Sequence, residues 1–246
     1  MPTSERVALI TGAAGALGRA AAAAFERAGF ALALLDADGA ALRSSEASPS
    51  SRRLLLPTDL LDAAQVRKAA AATLAAFGRI DVLCNIAGGF YYGEPVHEMR
   101  EDAWLQQFHL NATTVVHACK AIVPHMVARR SGCIFNIGSA AQMRARAHTS
   151  AYAVAKSAVM RLTESMAEEL RDTGVTALCL MPFIIDTPKN RHDMPQADHS
   201  QWTPPSAIAD LMVLLSAPQA ALMSGSSIAL AGRPKNSGFD EQGPKQ

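Results

Sequence analysis

The chain has 246 residues, 49% of them apolar and 18% charged, and its 23 Lys and Arg against 22 Asp and Glu give a net charge of +1. That length suits one large α/β domain, and so even a charge balance leaves no electrostatic footprint for nucleic acid or an anionic membrane. No apolar run reaches the roughly 18 residues of a membrane-spanning helix. The opening MPTSERVALITG lacks the apolar core and small-residue cleavage site of a signal peptide, so a cytoplasmic location is expected. Cys84, Cys119, Cys133 and Cys179 are scattered through apolar stretches with no CxxC, which reads as buried thiols in a reducing compartment. The seven histidines show no paired ligand spacing; His192 and His199 fall in a loop-like stretch, and no metal is expected.

Taken in chain order, short apolar runs alternate with longer stretches of helical spacing. Strands are expected at 6–11, 31–35, 53–56, 80–86, 133–138, 175–181 and 227–231, and helices at 17–28, 62–77, 101–129, 150–173 and 205–216. Continuous apolar strands separated by helices imply a doubly wound parallel sheet covered on both faces. Asp62 is expected to cap the 62–77 helix and Gly78 to end it. Gly29 and Gly174 are expected to end the first and the 150–173 helices, and Pro124 to kink or divide 101–129. The Ser-rich piece 44–51 reads as a surface connection. Residues 182–203, with weak periodicity, read as a mobile flap, and 234–246 as a polar tail, leaving 1–233 as a single domain.

The first strand runs directly into TGAAGALG and an Ala-rich helix. Gly12, Gly15 and Gly18, with Ala16 and Leu17 between them, would let the backbone approach a pyrophosphate at the positive end of that helix. Asp36 ends the second strand, where a carboxylate accepts from both ribose hydroxyls of an adenosine and repels a 2′-phosphate. Ala37 and Asp38 follow, with no neighbouring cation, so NAD(H) is expected and NADP(H) disfavoured. Asp59, next to Leu60, could accept from an adenine amino group or simply shape the turn before Asp62.

Tyr152 and Lys156, one helical turn apart, would share a face. The ammonium, together with the positive nicotinamide ring of a bound coenzyme, should lower the phenol from its ordinary value of about 10, making Tyr152 a proton donor and acceptor. Ser139 follows the fifth strand at the edge where doubly wound sheets bind ligands, and could polarise a carbonyl. Asn111 sits inside a predicted helix, a poor place for Asn unless it has a polar task such as ordering water near Lys156, with a simple buried hydrogen-bonding role as the competing reading. Phe90, Tyr91, Tyr92, Phe183 and Trp202 are candidate substrate-lining aromatics, with ordinary packing as the competing reading.

Together these residues resemble the short-chain dehydrogenase/reductase family over essentially the whole chain. The likeness rests on TGAAGALG, Asp36, Asp59, CNIAGG at 84–89, Asn111, Ser139, Tyr152-x-x-x-Lys156, and Pro182 with Thr187. It implies a Rossmann-type sheet of about seven parallel strands in the order 3-2-1-4-5-6-7. It further implies Asn111, Ser139, Tyr152 and Lys156 as a catalytic tetrad, and Asn85, Ala87, Gly88, Pro182 and Thr187 beside the cofactor. A small-molecule substrate and a homotetramer or dimer built on 101–129 and 150–173 are also implied. The chain departs from the family pattern with Gly15-Ala16 in the loop, Ile86 in place of a second Asn, and Phe183 after Pro182. Residues 186–204, DTPKNRHDMPQADHSQWTP, are similar to the corresponding stretch of dihydropteridine reductases, NADH-using members that typically lack the tetrad's Ser and Asn. Two enzyme readings follow, a carbonyl/alcohol oxidoreductase and a quinonoid pterin reductase; a nucleotide sensor without turnover is the non-enzymatic alternative.

Overall fold

The computed structural model describes residues 5–44 and 50–230. Seven strands, β1 (Val7–Thr11), β2 (Ala31–Asp36), β3 (Arg53–Pro57), β4 (Val82–Asn85), β5 (Gly132–Ile137), β6 (Val175–Pro182) and β7 (Ser227–Leu230), form one sheet. Its order is β3-β2-β1-β4-β5-β6-β7, and every pairing is parallel, with Thr11 in register with both Leu35 and Asn85. The chain builds outward from β1 to β3 and then restarts on the other side at β4. The adjacent carboxyl ends of β1 and β4 therefore mark the switch point at which a crevice opens.

Alternation of side chains across the pleat divides the core in two. Leu9, Leu83, Ile134 and Ala177 face α3 (Ala63–Phe77), α5 (Thr114–Ala128) and α6 (Ser150–Glu169). Ile10, Leu34, Phe135 and Leu178 face α1 (Ala16–Arg27) and α8 (Pro205–Leu215). Burial on both faces explains why β1, β2, β4 and β6 read as unbroken apolar runs rather than alternating ones.

The expected strands and helices appear with shifts of a few residues at their ends, and three expectations are corrected. The stretch 101–129 is not divided at Pro124, which lies within α5. It breaks instead into α4 (Glu101–Phe108) and α5 around a π turn, His109–Thr113, in which the Thr114 N–H donates to the His109 carbonyl. Gly174 does not end α6; that helix stops at Glu169, and Gly174 (φ +79°) turns the chain into β6 against the Arg130 carbonyl. The 182–203 segment carries its own structure: α7 (Pro188–Asp193) capped by Thr187, a 3₁₀ turn His199–Gln201, and a buried Trp202. A further short helix, α2 (Gly39–Ser44), has no counterpart in the apolar pattern. Asp62 caps α3 by accepting from Ala64 N (2.8 Å) and Gln65 N (3.2 Å), and Gly78 ends it, as expected. Residues 45–49 of the Ser-rich connection, the last residue of the expected seventh strand and the polar tail lie outside the described residues.

At the opposite edge of the sheet from the crevice, the buried Asp81 carboxylate accepts from Val7 N (2.8 Å), Arg79 Nε (2.7 Å), Arg79 Nη2 (2.6 Å) and Arg129 Nη1 (3.3 Å). Burial alone would raise its pKa; the Arg79 and Val7 hydrogen bonds, with the charges of Arg79 and Arg129, outweigh it and hold the carboxyl below its ordinary range. A lowered folded-state value means stability that is present above the unfolded pKa of about 3.9 and lost as pH falls through the folded value. Asp81→Asn is expected to cost about 2–4 kcal/mol at neutral pH in urea unfolding and to flatten the acid limb of the stability–pH curve.

Candidate active site

The glycine loop is fixed by close approach. Gly12 has φ +65°, and a Cβ on it would sit 2.8 Å from Ala87 Cα and N. Gly18 packs so tightly on the Gly12 carbonyl that a side chain there would overlap its oxygen. Thr11, which the sequence reading passed over, locks this loop to the end of β4: its hydroxyl accepts from Ile86 N (3.0 Å) and Ala87 N (3.2 Å). The N-terminus of α1, with Gly15 as its cap residue, opens beside it.

A cleft of about 480 Å³ runs along the carboxyl edge of the sheet from this loop to α6, within the size range of small-molecule sites. At one end it is lined by Gly12, Gly15, Ala16, Leu17, Gly18, Asp36, Asp59 and Leu60, and at the other by Ala87, Gly88, Phe90, Tyr152, Lys156 and Thr187. Asp36 is held by Ala14 N, which donates to Oδ2 (3.0 Å), and by Asp38 N, which donates to Oδ1 (3.1 Å). The cap of α2 is Asp38, accepting from Ala40 N (3.0 Å) and Ala41 N (2.9 Å), so Asp36 is not spent on that role. Asp59 does serve its turn, accepting from Leu61 N (2.9 Å), while also facing the cleft.

Tyr152 and Lys156 line the α6 end, and Ser139, buried and outside the cleft lining, lies beside the Tyr152 phenol. The Lys156 ammonium is buried, donates to the Ile137 carbonyl (2.8 Å) and lies 5.8 Å from the centre of the Tyr152 ring. Burial pulls Lys156 down to about 8, opposed by the neighbouring Cys179. The expected lowering of Tyr152 does not occur in the protein alone. Burial raises the phenol above its ordinary value, and the Ser139 hydroxyl only partly opposes this. Spacing on a helix face shows which groups are neighbours; it does not show how far both are removed from water.

Asn111 occupies the π turn. Its amide pairs with Gly89 in both senses, donating to Gly89 O (3.0 Å) and accepting from Gly89 N (3.1 Å), and it also donates to Gln107 O (3.1 Å). The extra residue of a π turn re-aims one side chain out of helical register. A Cβ added to Gly88 would lie 2.7 Å from Asn111 Oδ1 and 3.4 Å from Lys156 Nζ, so all three meet at one point. Asn85 lies below this floor in a buried network, donating to Asn136 Oδ1 (2.9 Å), and does not line the cleft; nor does Pro182, the last residue of β6.

The aromatics divide. Phe90 lines the cleft and meets the Tyr152 ring edge-on at 5.1 Å. Tyr91 donates to Glu94 Oε2 (2.8 Å), Tyr92 stacks on His148 at 5.1 Å, and Phe183 is half exposed. Trp202 is buried against His199 inside the flap, beside a separate small pocket with Asp186 and Arg191. Sequence reasoning missed Asn190, which lines the cleft and donates to the Ile185 carbonyl (2.8 Å); its one visible signal was its position three residues after the α7 cap, Thr187. Among the described residues no cluster of His, Cys, Asp or Glu could hold a metal, and no helix is long and apolar enough to cross a membrane.

A parallel sheet in this order, with a glycine loop at its switch point, is the architecture of Rossmann-type dinucleotide-dependent oxidoreductases. The chain belongs to the short-chain dehydrogenase family, whose model matches residues 6–198. It is 28% identical over 244 residues to 2-(R)-hydroxypropyl-CoM dehydrogenase of Xanthobacter autotrophicus, covering 93% of this chain and 98% of that protein. It is 32% identical to 2-dehydro-3-deoxy-L-rhamnonate dehydrogenase (NAD(+)) of a Sphingomonas species, covering 74% of this chain and 73% of the relative. Among solved structures it superimposes on levodione reductase with a TM-score of 0.84 at 26% identity, covering 92% of this chain and 96% of that one. The protein is therefore an oxidoreductase of the dehydrogenase/reductase kind.

Proposed function

We propose that the protein is an NAD(H)-dependent oxidoreductase that interconverts a small carbonyl compound and its secondary alcohol, with Tyr152 as the general acid and base. The observation that carries this reading is that Tyr152, with Ser139 beside its phenol, and the buried Lys156 stand at the far end of a cleft that begins at the Gly12–Gly18 loop. That loop fits a dinucleotide: it is a cradle from which side chains are excluded, opening on a helix N-terminus suited to phosphates. Asp36 would bind the adenosine ribose, with Asp59 and Leu60 near the base, and Thr187 and Lys156 would hold the nicotinamide half. When bound, the coenzyme supplies or accepts the hydride. Ser139 holds the substrate oxygen, and Tyr152 gives that oxygen its proton during reduction and removes it during oxidation. Asn111 holds Gly89 at the floor of the cleft.

NAD(H) over NADP(H) rests on the Asp36 carboxylate, which lines the cleft with Ala37 beside it; the NAD(+) in the rhamnonate relative's name agrees with it. The four cysteines are buried free thiols, in keeping with a reducing cytoplasm. Exposed Leu105 and Phe108 on α4, Val116 on α5 and Val154 on α6 support a homo-oligomer built on those helices.

The pH dependence follows from Tyr152. A phenol raised by burial keeps its proton through neutral pH, so carbonyl reduction should be flat there and fall on the alkaline side, whereas alcohol oxidation should rise with pH. Initial rates in both directions across a pH series check this; an oxidation rate that falls with rising pH would contradict it.

NADH consumption against a panel of ketones, aldehydes and quinonoid dihydropterin tests the function itself. The pterin reading keeps one specific support, the 186–204 phrase. Yet its polar residues hold the flap together: Arg191 forms a bidentate pair with Asp186 (2.5 and 2.8 Å), and the His199 ring meets the Met194 carbonyl (2.9 Å). Pterin turnover that survives Ser139→Ala would favour it. NADH binding with no turnover of either class would leave a coenzyme-binding protein only.

A further inference from the structure

The loop joining Ser139 to α6 carries two cations that have no partner among the described residues. Arg144 and Arg146 are exposed, and neither has a side-chain hydrogen bond or ion pair among the described residues. Arg27 on Asp210, Arg52 on Glu5, Arg161 on Glu164 and Arg191 on Asp186 are consumed locally; Arg19, Arg43 and Arg67 are exposed like Arg144 and Arg146, but lie on α1, α2 and α3 rather than on the loop between Ser139 and Tyr152. Of the acids that follow β4, Glu94 accepts from Tyr91, Glu98 lies beside His97, and Asp102 at the start of α4 pairs with Arg100.

The loop is also a built structure. Thr149 Oγ1 donates to Gln142 Oε1 (3.0 Å) and accepts from Arg146 N (3.3 Å). His148 is held in the left-handed region (φ +65°), its Nδ1–H donating to Gly93 O (2.9 Å) while its carbonyl accepts from Gly93 N (2.8 Å). A non-glycine residue held there is strained and persists only where its surroundings over-determine it. The pairing fastens the Arg144–Arg146 segment to the strand-end loop that carries Phe90 and Tyr92. Phe90, Tyr92 and Met143 are exposed there by 58%, 65% and 66%, apolar surface of the kind that marks a contact site.

We infer that this rim selects substrates pairing an apolar body with a fixed anion such as a carboxylate, the body lying against Phe90, Tyr92 and Met143 and the anion meeting Arg144 and Arg146. This rests on the oxidoreductase reading of the cleft and narrows it to a substrate class. Exposed charges act on encounter and affinity rather than on the chemical step, and salt screens them. The effect should therefore appear in binding and KM, leaving kcat little changed.

The test is calorimetric titration of the NADH-loaded protein with para-acetylbenzoate and with its neutral analogue para-acetylbenzamide, at low and high salt. The anion should bind about tenfold more tightly at low salt, and the preference should shrink at high salt. It should vanish in Arg144→Ala/Arg146→Ala and persist in Arg144→Lys/Arg146→Lys, with NADH binding by both variants reporting an intact fold. Equal binding of the two probes, a preference that survives the double alanine change, or no binding of the anion would each overturn the inference. Turnover of both probes without discrimination would refute the anion selectivity while sparing the oxidoreductase reading; selective binding without turnover would do the reverse.

Discussion

Tyr152→Phe is expected to lower kcat for a carbonyl substrate by about 10²–10⁴-fold while leaving NADH affinity unchanged. The substitution removes one oxygen and keeps the ring that meets Phe90 edge-on and lies 5.8 Å from the Lys156 ammonium. The packing of α6 against the sheet is therefore preserved, and the loss should appear in the chemical step. NADH titration and initial rates on the same preparation separate the two quantities. Ordinary turnover in the phenylalanine variant would mean that the proton reaches the substrate oxygen by another route. Lys156 would then be reduced to a structural tie to the Ile137 carbonyl.

The second large effect concerns the coenzyme. The Asp36 carboxylate carries two backbone hydrogen bonds, one from Ala14 in the glycine loop. Alanine at this position would remove both the charge and that tie, confounding specificity with loop geometry. Asp36→Asn keeps an oxygen acceptor for Ala14 N, and removes the charge together with the acceptor that Asp38 N uses. The NADH-over-NADPH ratio of kcat/KM is expected to fall by about two orders of magnitude, through weaker ribose binding and relieved repulsion of the 2′-phosphate. An unchanged ratio would show that discrimination lies elsewhere on the cleft wall.

The sheet was legible because it is a matter of burial. Strands covered on both faces leave unbroken runs such as VALIT and ALALL, and the helical stretches between them fix parallel crossovers. The glycine loop was legible because close approach to Ala87 excludes side chains from Gly12. Less could be read where two neighbouring states differ by a single hydrogen bond. The π turn at His109–Thr113 adds a single residue to an otherwise helical stretch, too small a change in apolar spacing to stand out, so its one trace was the uncongenial Asn111; Pro124 drew attention away from it. The flap looked irregular because its order comes from polar ties, Arg191 to Asp186 and Asn190 to the Ile185 carbonyl, together with one buried Trp202, none of them periodic. The direction of the Tyr152 shift was not in the sequence, since spacing gives adjacency to Lys156 and says nothing of desolvation.

A crystal structure with NADH and a slowly reduced carbonyl compound tests the central claim most directly. The account predicts the adenosine ribose on Asp36 and the carbonyl oxygen within about 2.6–3.2 Å of both Tyr152 Oη and Ser139 Oγ. A coenzyme bound outside the Gly12–Gly18 loop, or a carbonyl oxygen held away from the phenol, would contradict it.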